Sequence, residues 1–103
     1  MADYRSQMAS EVLQRMGKEK LRIVDVREMD EWIDGHIPGA VHVPLSEFGD
    51  HVGKIDPNEE TIIVCRSGGR SARACEYLAE SGYNVINMLG GMLAWQGDIE
   101  EGE

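Results

Sequence analysis

The chain's strand-like runs are never adjacent to one another. "LRIVDVR" (21–27), "AVHV" (40–43), "TIIVC" (61–65) and "NVINML" (84–89) are each set apart by a stretch with helical spacing or helix-capping signals. Strands that alternate with helices must be joined by crossovers, which makes neighbouring strands parallel. The expected fold class is therefore α/β, a mostly parallel central sheet flanked by helices on both faces. At 103 residues the chain fits one domain, and no repeat, linker or low-complexity stretch divides it.

Local signals set the expected boundaries. "SEVLQRMG" spaces Val12, Leu13 and Met16 as one helical face and ends at Gly17, with Ser10 as N-cap and Ala9 or Ser6 as competitors. "EMDEWIDG" predicts a short helix stopping at Gly35. A Pro-Gly turn follows, then a strand over 40–43. Ser46 is placed to cap a helix running through Val52, and "DPNE" (56–59) reads as a turn. A helix over roughly 71–81 is closed by Gly82. Gly90-Gly91 turns into a final helix containing Trp95, and the acidic tail "DIEEGE" (98–103) is expected to be solvated and frayed.

Ligands of such sheets bind beyond the carboxyl ends of the strands. Asp25-Val26-Arg27, Cys65 with its loop, and Gly90-Gly91 all fall on that edge, and Cys65 carries the chemistry. The loop "CRSGGRSARA" concentrates Arg66, Arg70 and Arg73 in eight residues, with no acid between Ile62 and Ala74. The net charge of the chain is −9, which argues against nucleic acid or an anionic membrane as partner. A local cationic patch on an acidic protein suits a small anionic ligand. Adjacent glycines let successive amides point inward as a nest around the sulfur. A thiol near cations and a helix N-terminus is acidified and becomes nucleophilic.

"CRSGGRS" preceded by "TIIV", with "VDVRE…E…GHIPGAVHVPL" upstream and "LGGMLAW" downstream, resembles a single-domain rhodanese. The resemblance spans about 21–97 in the family's order, so residues 1–103 are expected to form one such domain. It implies a sulfurtransferase that holds a sulfane sulfur as a persulfide on Cys65. The sulfur would come from thiosulfate or a persulfide or polysulfide donor and pass to a thiol or a thioredoxin-like acceptor. Arg66, Ser67, Gly68, Gly69, Arg70 and Ser71 would bind the donor, the amides of 66–71 stabilising the persulfide and Arg66 and Arg70 attracting the anion. The resemblance calls for no metal or organic cofactor.

Related phosphatases of the same fold use a Cys-x5-Arg loop around a tetrahedral oxyanion. Here four residues separate Cys65 from Arg70 and seven separate it from Arg73, so neither spacing matches. A phosphatase or arsenate reductase is the alternative enzyme, and a non-catalytic persulfide-relay or interaction module is the other alternative. Cys75 reads as a small core residue of the helix rather than a resolving cysteine. His36 suits a structural hydrogen bond in its turn, His42 could face either side, and His51 belongs on the surface. Asp25 reads as structural, whereas Arg27 could hold an anionic donor or fix the turn after the second strand. Glu28 and Glu31 are explained by the dipole of the helix they start. Two cysteines without CxxC spacing give neither a disulfide framework nor a metal site. Residues 1–20 lack a signal-peptide core and no apolar run reaches membrane-spanning length, so a cytoplasmic protein with reduced thiols is expected.

Overall fold

A computed structural model describes residues 3–103. Five strands form one parallel sheet: β1 (Arg5–Met8), β2 (Arg22–Asp25), β3 (Val41–His42), β4 (Thr61–Val64) and β5 (Val85–Leu89), in the order β1-β5-β4-β2-β3. The connecting helices are α1 (Ala9–Met16), α2 (Met29–Asp34), α3 (Phe48–His51) and α4 (Gly69–Glu80), with 3-10 turns at Leu45–Glu47, Val52–Lys54 and Gly91–Ala94. This is the expected α/β class.

The central strands read as continuous apolar runs because both faces are covered. In β4 all four residues are buried. Alternate side chains serve two packed layers: Ile23, Ile62, Val64, Ile86 and Met88 meet Ala9 and Val12 of α1, whereas Val24, Ile63 and Val85 meet Ala74, Cys75 and Leu78 of α4. The period-two alternation of strands thus meets a helix stripe on each side.

Five features differ from the sequence expectation. The edge strand β1, "RSQM", is mostly exposed and lacks an apolar face, so no periodicity announces it. It sets the start of α1 at Met8, whose N–H donates to the Glu11 carboxylate at 3.0 Å; Ser10 lies inside the helix rather than capping it. Ser46 likewise caps no helix, because its hydroxyl and amide are both taken by Glu28. The last helix shrinks to the 3-10 turn at 91–94, and Trp95 follows it, its indole N–H donating to the Asp98 carbonyl at 3.0 Å. The tail is docked, not frayed: His36 and Glu100 exchange backbone hydrogen bonds at 2.9 and 2.8 Å, and the Gly102 N–H reaches the Ile33 carbonyl. Gly82 ends α4 as expected. The Gly82 and Tyr83 amides donate back to Ala79 and Leu78, and its φ of 91° suits a residue without Cβ.

The sheet order places the site. β2 and β4 are neighbours, yet the chain leaves β2 toward β3 at one edge and leaves β4 toward β5 on the other side. The crevice where such connections diverge, at the carboxyl ends of the strands, is where this architecture binds ligands. Arg27 and Cys65 lie there, followed by α2 and α4 respectively.

Candidate functional site

Cys65 is the first residue after β4 and is only 1% exposed. The chain then turns through Arg66, Ser67 and Gly68 into α4. Gly68 is the N-cap of that helix with φ 107°, a left-handed conformation open to glycine. That turn brings the Gly68 N–H to 3.0 Å from the Cys65 sulfur, and the Ser71 hydroxyl lies 3.2 Å away. Burial by itself pushes the pKa of this thiol up. The Ser71 hydroxyl and the backbone amides of Ser71, Gly68 and Ser67 outweigh it, and the thiol is held below its ordinary value. Of the loop amides, that of Gly68 is in hydrogen-bond contact with the sulfur, and those of Ser67 and Ser71 also favour the thiolate. What acidifies the sulfur is hydrogen bonding.

The wall behind the sulfur was not visible in the motif. Ser71 is fully buried, and its hydroxyl bridges the Cys65 sulfur and the Asn87 side-chain carbonyl, so that its one proton is shared between them, while the Asn87 amide donates to the Gly68 carbonyl at 3.3 Å. Asn87, 3% exposed on β5, thus ties the first turn of α4 to the loop. A lone asparagine in an apolar strand is the one signal that could have found it, since a buried amide needs partners. The Gly90-Gly91 turn supports the loop from below: Met92 and Leu93 amides donate to the Cys65 and Arg66 carbonyls at 2.9 and 3.0 Å. A Cβ on Gly91 would sit 2.5 Å from that loop backbone, so the close approach excludes any larger residue.

The arginines do not behave alike. Arg66 and Arg73 are exposed and carry no ion pair among the described residues. Arg70 reaches across the crevice to Glu31 of α2 in a two-pronged pair, both N···O distances 2.7 Å. Glu31 is correspondingly held at about 2, chiefly by its hydrogen bond to Arg70. Helix-dipole reasoning had accounted for Glu31 without this partner. Arg27 departs from the donor-holding option: 6% exposed, it clasps the Asp25 carboxylate at 2.8–3.1 Å and donates to the Gly35 carbonyl at 2.6 Å. Those partners join the end of β2 to the end of α2, which is the turn-fixing option.

His36 and His42 are each held by a stacked ring and a backbone carbonyl. His36 stacks on Trp32 with centroids 3.5 Å apart and its Nδ1 meets the Trp32 carbonyl at 2.7 Å; His42 stacks on the same indole, its Nε2 2.7 Å from the Arg27 carbonyl. His51 is partly buried, 3.5 Å from Glu47. Cys75 packs in the α4 layer with no exposure, and burial together with the nearby Cys65 charge pushes its thiol up to about 12. A cleft of about 660 Å³ opens at the opposite, amino ends of β2 and β4; it mixes Arg15, Lys20 and Lys54 with Glu19, Glu59 and Glu60 and holds no cysteine or histidine. Among the described residues no metal-ligating cluster exists and no helix is long and apolar enough to cross a membrane.

Proteins similar in sequence and fold are known. The model of the Rhodanese-like domain matches residues 8–98. The crystal structure of a rhodanese-like domain protein from Staphylococcus aureus superposes with a TM-score of 0.89 at 35% identity, covering 96% of this chain and 99% of that one. YtwF of Bacillus subtilis is 41% identical over 82 residues, 80% of each chain. A sulfurtransferase of Allochromatium vinosum is 38% identical over 78 residues, 75% of this chain and 73% of its own. The family model covers most of the chain, the Staphylococcus aureus structure superposes over nearly all of it, and this chain belongs to the rhodanese-like domain family.

Proposed function

We propose that the protein is a sulfurtransferase that carries sulfur as a persulfide on Cys65. The observation that supports this most is the convergence of the Ser67, Gly68 and Ser71 amides and the Ser71 hydroxyl on one buried sulfur atom. Such a cradle stabilises a thiolate before reaction and a persulfide anion after it, so little has to reorganise between the two. With thiosulfate, the Cys65 thiolate attacks the sulfane sulfur. A new S–S bond forms at Cys65, the S–S bond of the donor breaks, and sulfite leaves with its electron pair. Cyanide then takes the outer sulfur as thiocyanate and returns the thiolate. In the cell a thiol, free or on a thioredoxin-like protein, takes the place of cyanide.

Within the loop, Ser67, Gly68 and Ser71 hold the sulfur, Gly69 starts the helix, and Arg66 is the exposed cation that draws an anionic donor. Arg70 borders the site, already paired with Glu31. The kinship with a sulfurtransferase from Allochromatium vinosum favours the same chemistry. Intact-mass and peptide spectrometry after exposure to thiosulfate tests it. A gain of one sulfur on the peptide containing Cys65, discharged by cyanide as thiocyanate, is the expected result. An unmodified protein, or sulfur located on Cys75, contradicts the proposal.

A further inference from the structure

The sequence concentrates positive charge at the loop, but the fold removes much of it. Arg70 and Glu31 lie 39 positions apart, on the helices that follow β4 and β2, and their side chains close over the crevice between those strands. The pair is two-pronged and retains 37% and 25% side-chain exposure, so it borders the approach to Cys65 rather than the core. Glu28 adds a second carboxylate on the same flank, held by Ser46. Arg27, the other guanidinium of this edge, is matched by Asp25. A dianion approaching Cys65 is therefore met by the exposed Arg66 and Arg73, a neutral pair and a net-negative protein. The same carboxyl edge of the sheet exposes apolar side chains: Met8 ends β1, Leu89 ends β5, Met29 opens α2 and Leu93 lies in the turn that follows β5. Such a rim suits an organic body better than a small, strongly hydrated anion.

We propose that Glu31 is a donor-selecting residue: by cancelling the charge of Arg70 it biases Cys65 toward sulfur delivered as an organic persulfide and away from thiosulfate. This rests on the sulfur-carrier reading above. The favoured step is attack of the Cys65 thiolate on the outer sulfur of R–S–SH. The Cys65–S bond forms, the S–S bond of the donor breaks, RS⁻ leaves with the electron pair, and the proton stays on the transferred sulfur. Glu31 touches no reacting atom; it acts through Arg70.

The test compares kcat/KM for two donors, thiosulfate and the persulfide of N-acetylcysteine methyl ester, whose organic part is uncharged. The donor ratio should follow the net charge of the pair. Glu31→Gln, which leaves Arg70 uncompensated, should raise kcat/KM for thiosulfate about tenfold at low salt, with a gain that shrinks as ionic strength rises. The organic persulfide should change by less than about twofold in that variant. Arg70→Gln should shift the ratio the other way, and the Glu31→Gln/Arg70→Gln double variant, neutral again, should return to the wild-type ratio. The double variant also keeps the test open if a single one folds poorly. If Glu31→Gln lowers both donors equally, or if Arg70→Gln and the double variant lose thiosulfate activity alike, Glu31 does not select and Arg70 is a direct donor ligand. A wild-type protein that accepts sulfur from neither donor overturns the carrier reading itself, and this inference with it.

Discussion

Cys65 and Cys75 sit ten residues apart in one apolar layer, 1% and 0% exposed, and their thiols are pushed in opposite directions. Burial acts on both in the same sense, raising them. What separates them is donors. The loop after β4 presents three amides and a hydroxyl to Cys65, whereas the amides around Cys75 are occupied within α4. Helical geometry consumes backbone N–H groups except in the first turn, and Cys65 lies just ahead of that turn. The opposite pKa directions of the two thiols thus follow position relative to a helix start more than depth below the surface.

The sharpest way to break the comparison is to remove the sulfur itself. Cys65→Ser should lower thiocyanate production from thiosulfate and cyanide by more than about a thousandfold while the circular dichroism spectrum stays unchanged. Substantial turnover in a folded variant would end the carrier reading. The next effect comes from the donors. Inserting one glycine between Gly68 and Gly69 gives the loop phosphatase length and shifts the amides off the sulfur. Sulfur transfer should fall by about a hundredfold or more, since one misplaced anion-stabilising donor already costs that much. Wild-type protein should not hydrolyse an aryl phosphate, and unchanged sulfur transfer in the insertion would show that loop length does not select the chemistry.

Ser71→Ala removes one donor and leaves the amides. The pH midpoint of Cys65 alkylation should move upward, and Asn87→Ala, which leaves the Ser71 hydroxyl free to donate to the sulfur, should move it downward. Equal upward shifts would mean that Asn87 acts only by holding the loop in place.

Cys75→Ala should leave turnover within about threefold of wild type and cost roughly 1 kcal/mol of stability from the small cavity. Its stability effect should depend on pH with a definite sign. The folded thiol is raised to about 12, so its contribution is complete below the unfolded value near 8.5 and is lost as pH climbs toward about 12. The decline in melting temperature above about pH 8.5 should therefore be shallower in Cys75→Ala. A steeper decline would place an ionisable partner beside Cys75.

Much of this contrast was legible in one dimension. "TIIV" before Cys65 and "GG" after it fix a strand, a turn and a helix in sequence, and those are local relations. The burial of Cys75 in the core was legible from its place on the apolar face of the helix. What escaped were pairings across long separations. Glu31 meets Arg70 across 39 positions, and Asn87 meets Ser71 across 16, because β2, β4 and β5 are brought together by the sheet order. Spacing along the chain cannot report which helix starts face one another. For the same reason the three-arginine cluster read as a positive patch, although Arg70 is neutralised in the fold. β1 and the tail were missed for a different reason: both attach through backbone hydrogen bonds with little side-chain pattern.

The central claim is that donors, and not exposure, set the difference between two equally buried thiols. Iodoacetamide modification of the native protein, followed by mass spectrometry for each cysteine between about pH 5 and pH 10, measures it in one sample. Cys65 should alkylate with a midpoint below the free-thiol value of about 8.5, and Cys75 should stay unmodified throughout. A Cys65 midpoint at or above that value, or parallel reaction of the two cysteines, would contradict that claim.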